Sequence, residues 1–274
     1  MRILIIGCGY VGLPLGQALA GLGHEVHGIR RSKFSAEGIT TQALDITQRG
    51  ALDELPKNYD WVINTVSSSR GDLEAHRSVF VGDTRHLLDW LGESSTHLLF
   101  TSSTSVYGQL DGSWVDEHSA TNPSGGTGGQ LREAEETLLA VPHSATVLRV
   151  AGIYGPERGF LFQQFVKGEA VLSDGGNRWL NMIHRDDVIS AILTAMNLEP
   201  GMYNVVDDEP VTQRAFLEWL ADRLGKPMPP EGETPPRKRA ATSKRVRNAK
   251  LKAAGWALRF PTFREGYEAL IREE

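Results

Sequence analysis

The sequence predicts a doubly wound α/β fold, a parallel sheet with helices on both faces. Two observations carry that expectation. Short runs rich in Val, Ile and Leu alternate with longer helical patterns along most of the chain. Continuous apolar strands separated by helices belong to parallel sheets buried on both faces. A glycine turn, GCGYVG at residues 7–12, also sits directly between the first apolar run and the first helix, where such sheets bind phosphates.

The elements follow in order. ILIIG (3–7) is the first strand; it breaks at glycine and is too short for a signal peptide. A helix follows Gly12, then the strand EVHGI (25–29), a presumed third strand before Asp45 and the strand WVINTV (61–66). A helix near 72–91, the strand HLLFTSS (97–103), a helix from about 130 and the strand ATVLRV (145–150) continue the alternation. After Pro156 the strand signal weakens to about Leu180, then IHRDDVISAILTAM reads as a helix and MYNVVDD as a strand. VTQRAFLEWLADRLG is an amphipathic helix, followed by a proline-rich linker around 227–236 and a basic segment. The expected division is a Rossmann domain from 1–155 and 183–207, with a smaller substrate lobe from 156–182 and 208–274. Ligands in such sheets bind at the carboxyl ends of the strands.

A chain of 274 residues with 40% hydrophobic and 23% charged residues reads as an ordinary globular protein. Cys8 is the only cysteine, which excludes an intrachain disulfide and points to a reducing, cytoplasmic setting. The net charge of −5 conceals a segment, 234–264, with ten basic residues and no acidic ones, so the remainder is −15. Such a segment contacts an anion or packs as a positive face on an acidic body. Nucleic acid is a poor partner: the total charge is negative and no aromatic–basic interleaving matches a known module. A membrane partner and a metal are not expected, since the histidines are scattered. The GGTGG run lacks the lysine of a P-loop.

Gly7, Gly9 and Gly12 have distinct expected roles: a tight turn, close approach of pyrophosphate, and close packing of helix on strand. Tyr10 and Val11 line the same turn. At the end of the second strand an NAD site carries an acid for the ribose 2′-hydroxyl; here that place reads Arg30-Arg31-Ser32. Guanidinium groups match a 2′-phosphate, so NADP(H) is preferred and NAD(H) is the alternative, with both arginines exposed and one stacked on adenine. Asp45 and Ile46 flank the adenine, unless Asp45 caps a turn instead. Val66 and Ser67, at the end of the fourth strand, complete the cofactor set.

TSSTSVYG (101–108), LRVAGIYGP (148–156), IHRDDV (183–188) and YNVVDDEPVT (203–212) together resemble the sequential landmarks of extended short-chain dehydrogenases/reductases, the family of nucleotide-sugar epimerases and dehydratases. SKRVRNAKL (243–251) is similar to the C-terminal part of an atypical subgroup. The resemblance implies a hydride-transferring oxidoreductase or epimerase/dehydratase, a dimer or a monomer, with a serine, a tyrosine and a lysine at its centre. Ser103 matches the serine. The tyrosine falls on Thr127 and the lysine on Leu131, with Glu135 in the place of a downstream glutamate; no Tyr or Lys occurs from 109 to 153. The family's helix asparagine falls near Phe80.

Tyr107 and Tyr154, in VYG and IYG turns, are the candidates near the missing phenol, as catalytic and substrate-binding residues, although the family's counterparts are mostly structural. His184 reads as a structural histidine and Arg149 as a loop support. Arg245 and Arg247 are assigned to a carboxylate or diphosphate of the substrate. The rival reading is an NADP(H) sensor or scaffold without turnover. The glycine-rich stretch 121–130 is expected to be a mobile loop at a vacated catalytic position.

Overall fold

The computed structural model describes residues 1–67, 73–123, 126–141, 143–232 and 242–273. Arg237, Lys238, Arg239 and the end of the proline-rich linker lie outside these residues. The chain begins β1 (Arg2–Ile6), α1 (Gly12–Gly21), β2 (Glu25–Arg30), β3 (Ile39–Ala43) and β4 (Trp61–Asn64). A long helix follows in three parts: α2 (Leu73–Arg77), a π-turn over Ser78–Gly82, and α3 (Asp83–Leu91). Then come β5 (His97–Ser103), β6 (Trp114–Val115), α4 (Gly126–Leu139), β7 (Ala145–Val150), β8 (Gly152–Tyr154), α5 (Phe160–Val166), β9 (Trp179–Leu180), β10 (Met182–His184) and α6 (Arg185–Ala195). The chain closes with β11 (Met202–Val205), β12 (Val211–Thr212), α7 (Gln213–Leu224), β13 (Arg245–Val246), α8 (Ala249–Ala253) and α9 (Phe263–Glu273).

The seven-stranded parallel sheet has the order β11-β7-β5-β4-β1-β2-β3, flanked by helices as the sequence predicted. After β3 the chain crosses to the other side of β1, so the strand order reverses beside the carboxyl end of β1. That reversal opens the crevice in which such folds place a ligand. The strands β1, β4 and β7 are almost wholly buried on both faces, as strands covered on both sides must be.

Two boundaries differ from expectation. The helix expected from about 130 starts at Gly126, so three of the four glycines are its first turn, while Ser124 and Gly125 of the stretch expected to be mobile lie outside the described residues. Leu131, Ala134 and Leu138 bury one face of α4, and that packing outweighs the poor helix propensity of glycine. The helix expected to begin at Ile183 begins at Arg185, because Met182–His184 pair with Gly152–Tyr154 as a short parallel ladder.

The chain divides into two compact units, 1–103 with 125–149 and 192–203, and 104–124 with 150–191 and 204–274. The sequence reading had placed 104–124 and 183–191 with the first. Residues 104–124 go with the second because β6 pairs with β13, Trp114 opposite Arg245. This second unit has its own core of Tyr154, Phe162, Phe165, Phe216, Phe263 and Tyr267. Helix α7 within it is capped by Thr212, whose hydroxyl accepts from Ala215 N at 3.2 Å, and ends on Gly225 at φ 62°.

The basic segment is tied down by acids. Lys252 pairs with Asp208 at 2.7 Å, Arg259 with Asp186 at 3.5 Å, and Arg264 with Glu209. Each exposed pair contributes little. Asp187, fully buried, instead accepts the backbone N–H of Arg259 and Phe260 at 2.6 and 3.1 Å, which fixes the approach to α9.

Candidate cofactor and catalytic site

The glycine turn has the geometry of a dinucleotide cradle. Gly7 has φ 94°, and its N–H and that of Cys8 donate to Ile29 O at 2.9 and 3.0 Å. A Cβ at Gly7 would stand 2.8 Å from Val66 N, and one at Gly12 2.4 Å from Gly7 O and 2.6 Å from Thr65 Oγ1. Only glycine fits either place. Gly9 is exposed and different: its Cβ would meet nothing nearer than 3.8 Å, so its backbone faces the open space a pyrophosphate needs. Helix α1 begins at Gly12 with no capping side chain and no acid in its first turn, leaving donors and a positive dipole end for phosphate. These residues fit a nicotinamide dinucleotide. Tyr10 is half-buried and Val11 buried beside the turn. Burial pushes the Cys8 thiol up to about 12, which makes it packing rather than a nucleophile.

The two arginines after β2 do different work. Arg30 donates Nε to Ser32 O and Nη2 to Lys33 O, both at 3.2 Å, and Nη1 to Cys8 O at 3.5 Å, while its guanidinium lies 4.4 Å from the Phe34 ring centroid. It ties the glycine turn to the 31–34 turn. Arg31 is exposed and makes no hydrogen bond or ion pair with the described residues; Ser32 is exposed beside it. Asp45 closes its own turn, accepting from Thr47 N at 3.1 Å and Thr47 Oγ1 at 2.8 Å, and Ile46 is buried next to it. Val66 donates its N–H to Asn64 Oδ1 at 3.0 Å, and Ser67 is exposed.

Sequence reasoning missed Asp83. It opens α3, is 2% exposed, and neither carboxylate oxygen has a hydrogen-bond partner among the described residues. Burial, reinforced by the charge of Asp45 and opposed by Arg31, pushes it up to about 8. The available signal was an acid between Phe80 and Leu87 on the apolar face of the helix.

Ser103 ends β5 half-buried. Its neighbour Ser102 donates to Glu135 Oε1 on α4 at 2.5 Å. Arg149 clamps the same carboxylate, with Nη2 and Nε at 2.7 and 3.1 Å from Oε2. All three are 5% exposed or less, so Arg149 is an internal strut between β7, α4 and β5. Four and eight residues before Glu135 on α4 stand Leu131 and Thr127, both buried, in the places of the missing lysine and tyrosine. Glu133, on another face of α4, is held by Arg77 at 2.7 Å and Arg85 at 3.1 Å, one from each side of the π-turn.

In the second unit Tyr107 is fully buried and donates its phenol to Asn204 Oδ1 at 2.9 Å. The phenol serves the fold in this structure, where the sequence had offered it a catalytic part. Lys244, also unforeseen, is buried and donates to Tyr107 O and Thr242 Oγ1, both at 2.8 Å; burial, then Arg178, lowers it to about 8. Its signal was parity: Lys244 shares a strand face with buried Val246. Tyr154 is buried and stacked on Tyr267 at 4.3 Å, with its acidity suppressed by burial and by Asp207. That placement keeps it in the core rather than on an open substrate surface. His184 is buried against Phe260, and its Nδ1 accepts from Asp186 N at 3.2 Å. Burial holds it well below its ordinary value, a neutral structural imidazole. Arg245 lies between Trp114 and Trp179, 5.0 and 4.9 Å from their centroids, and donates Nε to Gly112 O. Arg247 is exposed on the Trp114 face at 4.7 Å, without an ion pair among the described residues.

Among the described residues no cluster of metal-ligating side chains occurs, and no helix is long and apolar enough to cross a membrane. Residues 3–205 match the NAD dependent epimerase/dehydratase family. Protein YeeZ of Escherichia coli (strain K12) is 28% identical over 241 residues, covering 82% of this chain and 84% of that protein. A solved structure from Methylobacillus flagellatus is 34% identical, with a TM-score of 0.83 over 99% of this chain and 98% of that one. MoeE5, solved with UDP-glucose and NAD, is 20% identical with a TM-score of 0.84 over 99% and 98% of the two chains, a likeness of fold. With its glycine cradle, strand order and family match in agreement, the chain belongs to the NAD-dependent epimerase/dehydratase family.

Proposed function

We propose that the chain is an NADP(H)-dependent oxidoreductase or epimerase/dehydratase-like enzyme acting on a small or nucleotide-linked polar, anionic substrate. The observation that carries the reading is the cradle, in which Gly7 and Gly12 admit no side chain while Gly9 faces open space. The nicotinamide supplies or accepts hydride when bound. Ser103 orients the reacting oxygen, held in place through the Ser102–Glu135–Arg149 contacts of its strand. MoeE5 accommodates UDP-glucose on a similar fold, which supports a nucleotide-linked substrate here. The lone buried cysteine agrees with a cytoplasmic setting.

Arg31, the exposed and uncommitted guanidinium, takes the 2′-phosphate, while Arg30 keeps the turn in shape. Fluorescence titrations should show tighter binding of NADPH than NADH, and Arg31→Ala should remove about tenfold or more of that difference. Tighter NADH binding by the unaltered protein would sink the preference. Arg247 and, beside it, Arg245 contact an anionic group of the substrate. The rival, a sensor without turnover, is favoured by Thr127 and Leu131 standing where phenol and ammonium are required. A substrate screen following NADPH absorbance, repeated with Ser103→Ala, separates them: turnover that falls in the variant supports the enzyme.

A further inference from the structure

We infer that Asp83 reads the adenine of the bound dinucleotide, pairing with its 6-amino group and an adjacent ring nitrogen. This deepens the reading above and rests on it for the presence of a nicotinamide dinucleotide. The first observation is the side chain itself. Asp83 is 2% exposed, and neither carboxyl oxygen has a hydrogen-bond partner among the described residues. An acid buried in that state weakens a fold unless something bound there completes its hydrogen bonds.

Helix geometry, independently, says which way the carboxyl looks. Phe80 and Leu87, three residues before it and four after, are buried, so Asp83 lies on the face turned to the body of its unit. Arg85 reaches across to Glu133 of α4 at 3.1 Å. Two residues of an α-helix turn by about 200°, so Asp83 points away from α4. On that other side α3 packs against the 3₁₀ turn Ala51–Glu54, a few residues past Asp45. The charges of Asp45 and Arg31 both act on Asp83, and these two follow the ends of β3 and β2, where the adenosine half of a dinucleotide lies. Asp45 is committed to its own turn, since its Oδ1 takes both contacts from Thr47.

The chemistry of the two partners matches. Adenine sets an amine donor beside a ring-nitrogen acceptor. A carboxyl that keeps its proton offers the complement, one oxygen to accept and one O–H to donate, and burial, reinforced by Asp45, keeps the proton on Asp83. An ionised carboxylate would instead set an acceptor against the ring nitrogen.

The test measures binding of NADP⁺ and NAD⁺, which share the adenine, and of their 1,N⁶-etheno derivatives, by calorimetry. The etheno bridge removes the amine hydrogens and blocks N1. The unaltered protein, Asp83→Leu and Asp83→Asn are compared. Asp83→Leu should lose about tenfold or more in affinity for the plain dinucleotides, while their etheno derivatives change by less than about threefold. Asp83→Asn, whose amide sets the same donor beside the same acceptor, should stay within about threefold of the unaltered protein. Without ligand, the melting temperature of Asp83→Leu should hold or rise, because the buried acid is gone; weaker binding by a protein at least as stable is not what a merely structural residue gives. Plain affinity unchanged in Asp83→Leu, equal losses on plain and etheno dinucleotides, a loss in Asp83→Asn as large as in Asp83→Leu, or etheno derivatives that bind the unaltered protein as tightly as the plain ones overturns the part given to Asp83 alone. Failure of the unaltered protein to bind either plain dinucleotide overturns the reading above, and this inference with it.

Discussion

Asp83 lies buried without a hydrogen-bond partner among the described residues, and the folded chain holds its proton where the unfolded chain has lost it. Folding therefore takes up a proton between roughly the ordinary Asp value and about 8, and stability must fall as pH rises through that window, by at most about 1.4 kcal/mol per pH unit. Asp45 sharpens the effect and Arg31 softens it. Urea denaturation from pH 4 to 8 should show this slope, and Asp83→Asn should flatten it while raising stability at the alkaline end; an unchanged slope in the variant assigns the dependence elsewhere. Single residues were unevenly legible in the sequence. The roles of Gly7, Gly9 and Gly12 follow from motif and position, because backbone constraint leaves only one residue type. Arg30 and Arg31 read as equals, since nothing in their order reveals that the first is consumed by carbonyls of its own turn.

Among the elements, α4 carries the buried carboxylate that joins β5 and β7. Glu135→Gln leaves Arg149 as an uncompensated buried charge and should cost about 3–5 kcal/mol by equilibrium unfolding; a loss under about 1 kcal/mol would show that water reaches the guanidinium. The helix over 73–91 was legible as a helix, but its π-turn was not, because one extra residue leaves composition and apolar spacing almost unchanged. Its effect is visible in the ion pairs. Residues eight apart on an uninterrupted α-helix lie about 80° apart around the axis, yet Arg77 and Arg85 both reach Glu133. The wide turn has absorbed one residue and restored the phase. Deleting Val79 should therefore yield a plain α-helix with both arginines still on Glu133 and a melting temperature little changed. Deleting Glu136 from α4, which has no such slack, turns everything beyond it by about 100° and should abolish cooperative melting.

At the scale of the molecule, the strands of the sheet were readable end to end because apolar runs alternate with helical patterns. The division into units was not, because β13 inserts late chain beside the early strand β6, a pairing with no local signal in two-residue strands. Asn181 and Asn204 stitch the same stretch from both sides, accepting Val246 N at 2.8 Å and donating to Arg247 O at 3.1 Å, and Lys244 supports the Tyr107 turn. Lys244→Met strips the Tyr107 carbonyl of its donor and should destabilise the second unit by about 1–3 kcal/mol. Protection of the Tyr107–Gln109 amides against hydrogen exchange should fall with it, and unchanged protection would make the lysine dispensable. The interleaving also sets a clock. The first unit has all its residues once Tyr203 is made, whereas the second waits for α9. At a synthesis rate of about 5–20 residues per second, the roughly sixty intervening residues take about 3–12 s. For about the first forty of those residues, until β13 is made, β6 has no strand beside it, and Trp114, 43% exposed even in the finished fold, has no arginine to cover it.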